Sequence, residues 1–325
     1  MSYQPIADLP ILAGNGMATL HDLGDGVVCF RAHTKMNTFD PGVFDVLEET
    51  LDRAGSDFQA IVLANDDARA FSAGADLTFF TRMVDSEGGP EKIDAYGKRG
   101  QGLFKRMMRT PVPVVAAVHG FALGGGCEFQ MHADATIALA DASIGLPEAA
   151  IGLVPGWGGC TRLYARAVAA NPAAAPVDLA IKVFGPLFSG RIASGAAEAR
   201  AMGLLRPTDG IIADRADLVS VAKARALSLI PGYVAPAAID LPVAGPAGID
   251  IILKILADRP DLTETDLTVA RKLATILTGG ANAGETATEA DLMALEVRTL
   301  GEQVVWPPVR ARIDHMLATG KRLRN

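Results

Sequence analysis

The chain has 325 residues, 50% of them hydrophobic and 21% charged, with a formal net charge of −7. That is enough for a sizeable core in one large domain or two small ones, and the acidic balance argues against a nucleic-acid surface, which needs a basic stripe. Mean hydropathy is high at +0.25, yet no run of 18 apolar residues offers a membrane span.

Residues 1–15 read as an irregular lead-in without a basic and then apolar leader, so the cytoplasm is the expected location. Cys29, Cys127 and Cys160 have no paired spacing, which points to a reducing compartment and no disulfide framework. Residues 17–22 and 26–32 read as two strands joined by the turn Leu23-Gly24-Asp25-Gly26. Asp40 and Pro41 open a helix over 41–54, with Phe44, Leu47 and Leu51 on one face. Residues 59–64 are a short strand, apolar after Gln59, of the kind buried on both faces of a parallel sheet. Gly74 turns the chain and Asp76 opens a helical run. A helix over 90–109 follows, with Ile93, Tyr96, Leu103, Met107 and Met108 as core candidates, and Pro111 and Pro113 stop it.

Residues 114–118 are a second buried strand. After it come the turn at Gly124–Gly126, a helix to about His132, a strand over 134–140 and a short strand at 143–146. Strand and helix alternate, which is an α/β pattern; the units beginning at Val27, Ile61, Val114 and Thr136 are loosely alike without an exact repeat. Beyond Arg162 the chain is Ala-rich and helical apart from Pro172 and Pro176. A small unit at 192–205 and a helix over 214–229 follow. Residues 231–246, with four prolines, read as a linker, and 247–320 as three or four amphipathic helices.

Three stretches carry chemistry. In Gly124-Gly125-Gly126-Cys127-Glu128 a glycine run lies between a buried strand and a helix. It either lets backbone amides approach a ligand that develops negative charge or only permits tight strand–helix packing. A dinucleotide loop does not fit the glycine order. Glu148, after Gly145-Leu146-Pro147 in an apolar neighbourhood, is either a helix-start charge or a buried acid. A helix of about eight residues rises ~12 Å, and a strand returning at ~3.3 Å per residue lets Glu148 come back beside Glu128. Two carboxylates flanking one water suit general acid/base addition. In Ser72-Ala73-Gly74-Ala75-Asp76 the loop follows a buried strand at its carboxyl end. It is either an ordinary turn with Asp76 as cap or a second source of amide donors, at Ala75. The five histidines have no metal-ligand spacing, Ser72 lacks a nucleophile elbow, and Trp157 either walls an apolar pocket or packs.

These pieces, in this order, resemble the crotonase superfamily of enoyl-CoA hydratases and isomerases. The matching text is AFSAGADL at 70–77, PVVAAVHGFALGGGCE at 113–128, GLPEAAIGLVPGWGGCTRL at 145–163 and, less specifically, IASGAAEARAMGLL at 192–205. The start of the chain resembles the hydratase-like portion of bacterial 3-hydroxyacyl-CoA dehydrogenase fusions.

The resemblance implies an α/β fold, a spiral of ββα units with a C-terminal helical region. The division expected is a catalytic core over 1–205 and a helical region over 206–325, assembled as a homotrimer or homohexamer. It implies thioester binding between the amides of Ala75 and Gly125, and water addition by Glu128 and Glu148. Ala73, Asp76, Leu77, Thr78 and Gly124 are expected along an acyl-CoA, with Lys35 near its phosphates. No metal or redox cofactor is implied, coenzyme A being part of the substrate. Cys160 and the bulky Trp157 depart from the pattern, as do the Ala/Pro-rich stretch after Tyr164 and the long tail after Tyr233. Isomerase or other acyl-CoA lyase chemistry on the same site, and a non-catalytic acyl-CoA-binding subunit, are the alternatives.

Overall fold

The runs at 60–63 and 114–118 have no polar side to face water, and they, with 27–32 and 135–139, become interior strands flanked by a neighbour on both sides. The computed structural model describes residues 5–282 and 285–325; the first four residues of the expected lead-in lie outside the described residues. Its strands are β1 (Ile11–Gly14), β2 (Ala18–Gly24), β3 (Val27–Ala32), β4 (Ala60–Leu63), β5 (Ala70–Ser72), β6 (Val114–Val118), β7 (Phe121–Leu123), β8 (Ala135–Leu139), β9 (Ser143–Gly145), β10 (Ile192–Ala193), β11 (Gly210–Ile212), β12 (Asp240–Pro242) and β13 (Thr286–Thr288). Its helices are α1 (Pro41–Arg53), α2 (Leu77–Val84), α3 (Gly89–Met108), α4 (Gly125–Met131), α5 (Gly159–Ala170), α6 (Pro176–Ser189), α7 (Ala196–Ala201), α8 (Leu218–Leu229), α9 (Gly245–Lys254), α10 (Glu264–Leu277), α11 (Glu289–Val304) and α12 (Pro307–Thr319).

Two compact units share the chain. The first comprises Met1–Asp76, Gly102–Gly145 and Ile192–Ala237; the second comprises Leu77–Gln101, Leu146–Arg191 and Ala238–Asn325. This division differs from a cut at 205/206, because β11 and α8 lie beyond that cut and belong to the first unit.

The first unit holds a seven-stranded sheet in the order β1-β2-β3-β4-β6-β8-β11 and a four-stranded sheet in the order β10-β9-β7-β5. The hairpin expected at Leu23–Gly26 is present, with β2 antiparallel to β3, and every pairing from β3 to β11 is parallel. The ββα repeat is visible in how strands are shared: β4, β6 and β8 enter the larger sheet, while β5, β7 and β9, next in the chain, enter the smaller one. Asp40 caps α1 by accepting the Val43 amide at 2.8 Å. Small residues let α8 lie close over the strands, with Leu218, Ala222 and Ala226 buried at helical spacing. Asp134, at the start of β8, accepts the Val114 amide at 2.8 Å and the Tyr233 hydroxyl at 3.0 Å.

Two expectations are corrected here. Residues 11–14 of the expected lead-in form an edge strand on β2. The expected linker at 231–246 contains β12, which pairs with β13 through Leu241 and Ala287.

In the second unit the four tail helices α9–α12 are present as expected. Thr263 with Asp266 and Thr288 with Asp291 form capping boxes that start α10 and α11. Among the described residues no helix is long and apolar enough to cross a membrane.

Candidate active site

In the first unit the loop after β5 is pressed against the start of α4. Gly74 has a positive φ of 82°, and a Cβ placed on it would stand 2.6 Å from the Gly125 nitrogen and 2.9 Å from the Leu123 carbonyl oxygen. One loop further along, a Cβ on Gly126 would meet the Ser72 carbonyl at 2.1 Å. Only glycine permits this approach of two backbones. The consequence is chemical. By standard bond lengths the amide nitrogens of Ala75 and Gly125 lie within about 6 Å of each other, the separation at which two N–H groups can reach one oxygen. Among the described residues neither amide donates to a backbone carbonyl. Gly124, at φ 54° and ψ −127°, turns the chain into α4 and donates its own amide to Gly145 at 3.0 Å.

Glu128 is the fourth residue of α4 and is 2% exposed. The helix that carries it is held from its far side. Gln130 accepts the Thr136 hydroxyl at 2.9 Å and donates to the Leu204 carbonyl at 2.9 Å. His132 bonds the Glu128 carbonyl through its ring nitrogen at 2.8 Å. A buried polar frame of this kind fixes where the Glu128 backbone stands.

The segment carrying Lys35 braces the same loop. The Met36 carbonyl accepts the Ala73 amide at 3.0 Å, and Phe39 donates its amide to the Gly74 carbonyl at 2.8 Å. The Asn37 side chain donates to Ala70 at 2.8 Å, and the Ser72 hydroxyl donates to the Asn37 carbonyl at 2.8 Å while accepting the Gly74 amide at 3.1 Å. Met36 and Asn37 both have positive φ, 57° and 53°. For Met that conformation is strained, and the hydrogen bonds around it over-determine it. Asn37 and Ser72 were not among the site residues expected from sequence. Asn37 in the polar turn Thr34–Thr38 is the one local signal, since asparagine tolerates a left-handed backbone better than most other side chains. Lys35 itself is exposed at the head of this turn, Ala73 and Asp76 are half-buried, and all stand on the one loop cluster with Ala75.

In the second unit Glu148 is half-buried and begins a 3-10 turn, Glu148–Ile151, after Pro147. Its carbonyl accepts the Leu153 amide at 3.1 Å. Trp157, 2% exposed, has its ring 5.7 Å from that of Tyr96, and Tyr96 in turn stands 5.6 Å from both Phe79 and Phe80. Leu77 and Thr78 open α2, which carries those two phenylalanines. Trp157 is therefore part of an aromatic cluster.

The chain matches the family described as Enoyl-CoA hydratase/isomerase over residues 25–222. It is 30% identical over 321 residues to a Bacillus subtilis protein named "Probable 3-hydroxyacyl-CoA dehydrogenase". That match takes in 97% of this chain and 40% of the relative, so the chain spans two fifths of that protein's length. It is 36% identical over 108 residues to the short-chain-enoyl-CoA hydratase of Clostridium acetobutylicum, which is 33% of this chain and 40% of that one. Among solved structures it is similar to a carnitinyl-CoA dehydratase from Mycobacterium thermoresistibile, with a TM-score of 0.65 and 17% identity over 94% of this chain and 91% of that one. That likeness concerns the fold, the crotonase-like spiral with helices at its C-terminal end.

Proposed function

This chain belongs to the enoyl-CoA hydratase/isomerase family, and on that premise we propose that it adds water across the C2=C3 bond of a 2-enoyl-CoA. The observation that carries the reading is the pair of amides at Ala75 and Gly125, brought together by the contact at Gly74 and without a backbone acceptor among the described residues. Such a pair suits a thioester oxygen. As a nucleophile adds at C3, charge moves onto that oxygen, and donors already in place stabilise it without reorganising. Each such donor contributes about 3 kcal/mol in the transition state.

The two glutamates supply the proton traffic. Glu128 takes a proton from water as its oxygen bonds to C3, and Glu148 delivers a proton to C2 as the enolate collapses. The elements of water are thereby added on one face. Ala73, Asp76, Leu77, Thr78 and Gly124 lie along the coenzyme A portion in this reading, with Lys35 toward its phosphates and Trp157 walling the acyl chain. No metal or redox group enters the proposed steps. The protein acts in the cytoplasm on acyl-CoA as a homotrimer or homohexamer in the same proposal.

The test is loss of the conjugated enoyl-thioester absorbance on adding enzyme, with a 3-hydroxyacyl-CoA as product. Glu128→Gln and Glu148→Gln are each expected to lower the rate by about 10² or more. Double-bond migration without incorporation of solvent oxygen would overturn hydration in favour of isomerisation. Saturable binding without turnover would overturn catalysis altogether.

A further inference from the structure

The long tail does more than add helices to the second unit: its helix α11 grips the backbone of the segment that follows Glu148. Glu296, fully buried on α11, accepts the Gly158 amide at 3.0 Å through one carboxylate oxygen. Through the other it accepts the Thr161 amide at 2.7 Å and also the Thr161 hydroxyl. Gln303, two turns on, accepts the Val154 amide at 3.0 Å. Gln101 donates to Gly156 at 2.9 Å and to Met293 of α11 at 2.7 Å, so one side-chain amide ties segment to helix. A Cβ on Gly156 would stand 2.3 Å from Leu300, so the approach is as close as glycine allows. Val154, Gly156 and Gly158 are thus each tied to the same helix face. At the other end of the segment Leu153 is bonded to the Glu148 carbonyl, and Gly152, at φ 86°, lies against Val309 of α12.

A buried carboxylate is an expensive way to join two helices, since an apolar side chain would fill the space without desolvating a charge. What a carboxylate offers is directional reading of several N–H groups, here at the start of α5, where unsatisfied amides favour an anion. The geometry points to Glu296 as a positioning residue. It fixes the Leu153–Thr161 segment, and through the Leu153 bond fixes the turn that aims Glu148. This rests on the reading above that Glu148 moves the proton at C2.

The test compares native enzyme with Glu296→Gln and Thr161→Val. Glutamine keeps the size of Glu296 but sets an NH2 against one of two N–H donors; valine removes only the hydroxyl. Well below the unfolding transition, Glu296→Gln is expected to lower kcat about tenfold or more, since small misplacement of a reacting group is costly. KM for the thioester should change by a smaller factor than kcat, because the groups proposed along coenzyme A are untouched and only Trp157, proposed along the acyl chain, lies in the segment. In a Trp306→Phe background, where Trp157 is the sole indole, the same substitution should shift emission to the red and raise acrylamide quenching. Thr161→Val should move kcat in the same direction by a few-fold, and it carries the test if Glu296→Gln does not fold. Native kcat and native Trp157 emission in folded variants would overturn the proposal, as would an effect confined to KM. Glu148→Gln, measured alongside, separates the two failures. If it is inactive while the Glu296 and Thr161 variants keep native kcat, the positioning inference alone fails. If it is fully active, the catalytic reading fails and the positioning role falls with it.

Discussion

Substituting Gly74 by alanine probes the thioester-binding amides directly. The added methyl group would stand 2.6 Å from the Gly125 nitrogen, whereas ordinary contact begins at 3.4 Å, and the neighbouring atoms are backbone with no side chain to swing aside. Relief therefore needs a displacement of about 0.8 Å between the loop and the start of α4. A hydrogen bond of about 2.9 Å lengthened by that much lies outside bonding range. Losing one such donor lowers kcat by about 10²–10³, or about 3–4 kcal/mol of transition-state stabilisation. The left-handed backbone at φ 82° adds about 1–2 kcal/mol of strain to the folded state, which should lower the melting temperature by several degrees. The assay is hydration followed by thioester absorbance at saturating substrate, with circular dichroism confirming the fold. A folded Gly74→Ala enzyme whose kcat is within about threefold of native would refute the role of the Gly125 amide.

Burial and the nearby Asp66 push the Cys29 thiol up to about 12, and Cys127 and Cys160 are also buried; a disulfide reagent at mildly alkaline pH should find no fast thiol in the native protein and three after unfolding. A fast-reacting native thiol would contradict that packing. Burial raises the Asp134 carboxyl above its ordinary 3.8, against the pull of the Val114 and Tyr233 hydrogen bonds. Its folded form holds the proton more tightly than the unfolded one, so stability falls as pH rises above the ordinary 3.8. Asp134→Asn should flatten that part of the urea-midpoint curve, and an unchanged slope would assign the dependence elsewhere. Arg312, itself buried, meets the half-buried Asp266 at 2.8 Å and donates to Thr263 at 3.0 Å, tying α12 to the start of α10. Arg312→Ala should cost about 1.5–3 kcal/mol in a denaturant titration, and a loss below about 1 kcal/mol would show the pair to be dispensable.

The alternation of wholly apolar strands with helices was legible because strands buried on both faces carry a compositional signature, as at 60–63 and 114–118. Of the smaller sheet only β9 was, as the short strand at 143–146; β5, β7 and β10 are two or three residues long and have no period to detect. The prolines of 231–246 masked β12, whose pairing with β13 depends on residues 44 to 48 positions away. At the site, the glycines at 74 and 124–126 and the two glutamates stood out as residue types in an order. The framework that holds them did not. Asn37 and Gln130 read as ordinary polar residues until their partners at Ala70 and Leu204 are seen. Glu296 lies 135 residues from Thr161, beyond any local pattern.

The interleaving of the two units has a consequence for how the chain can be made. Strand β8 lies between β6 and β11, and β11 arrives only at Gly210–Ile212, after α5 and α6 of the second unit have been synthesised. Until then the five residues of β8, four of them apolar, present one unpaired edge, a template for pairing with another chain. The second unit waits longer still, since β13 and α11 follow residue 285. Many contacts therefore join residues far apart in sequence, the topology that slows folding and lengthens the exposure of nascent edges. A polypeptide released after residue 205 should consequently accumulate in aggregates, even though it contains all of the resemblance-bearing motifs up to Leu205.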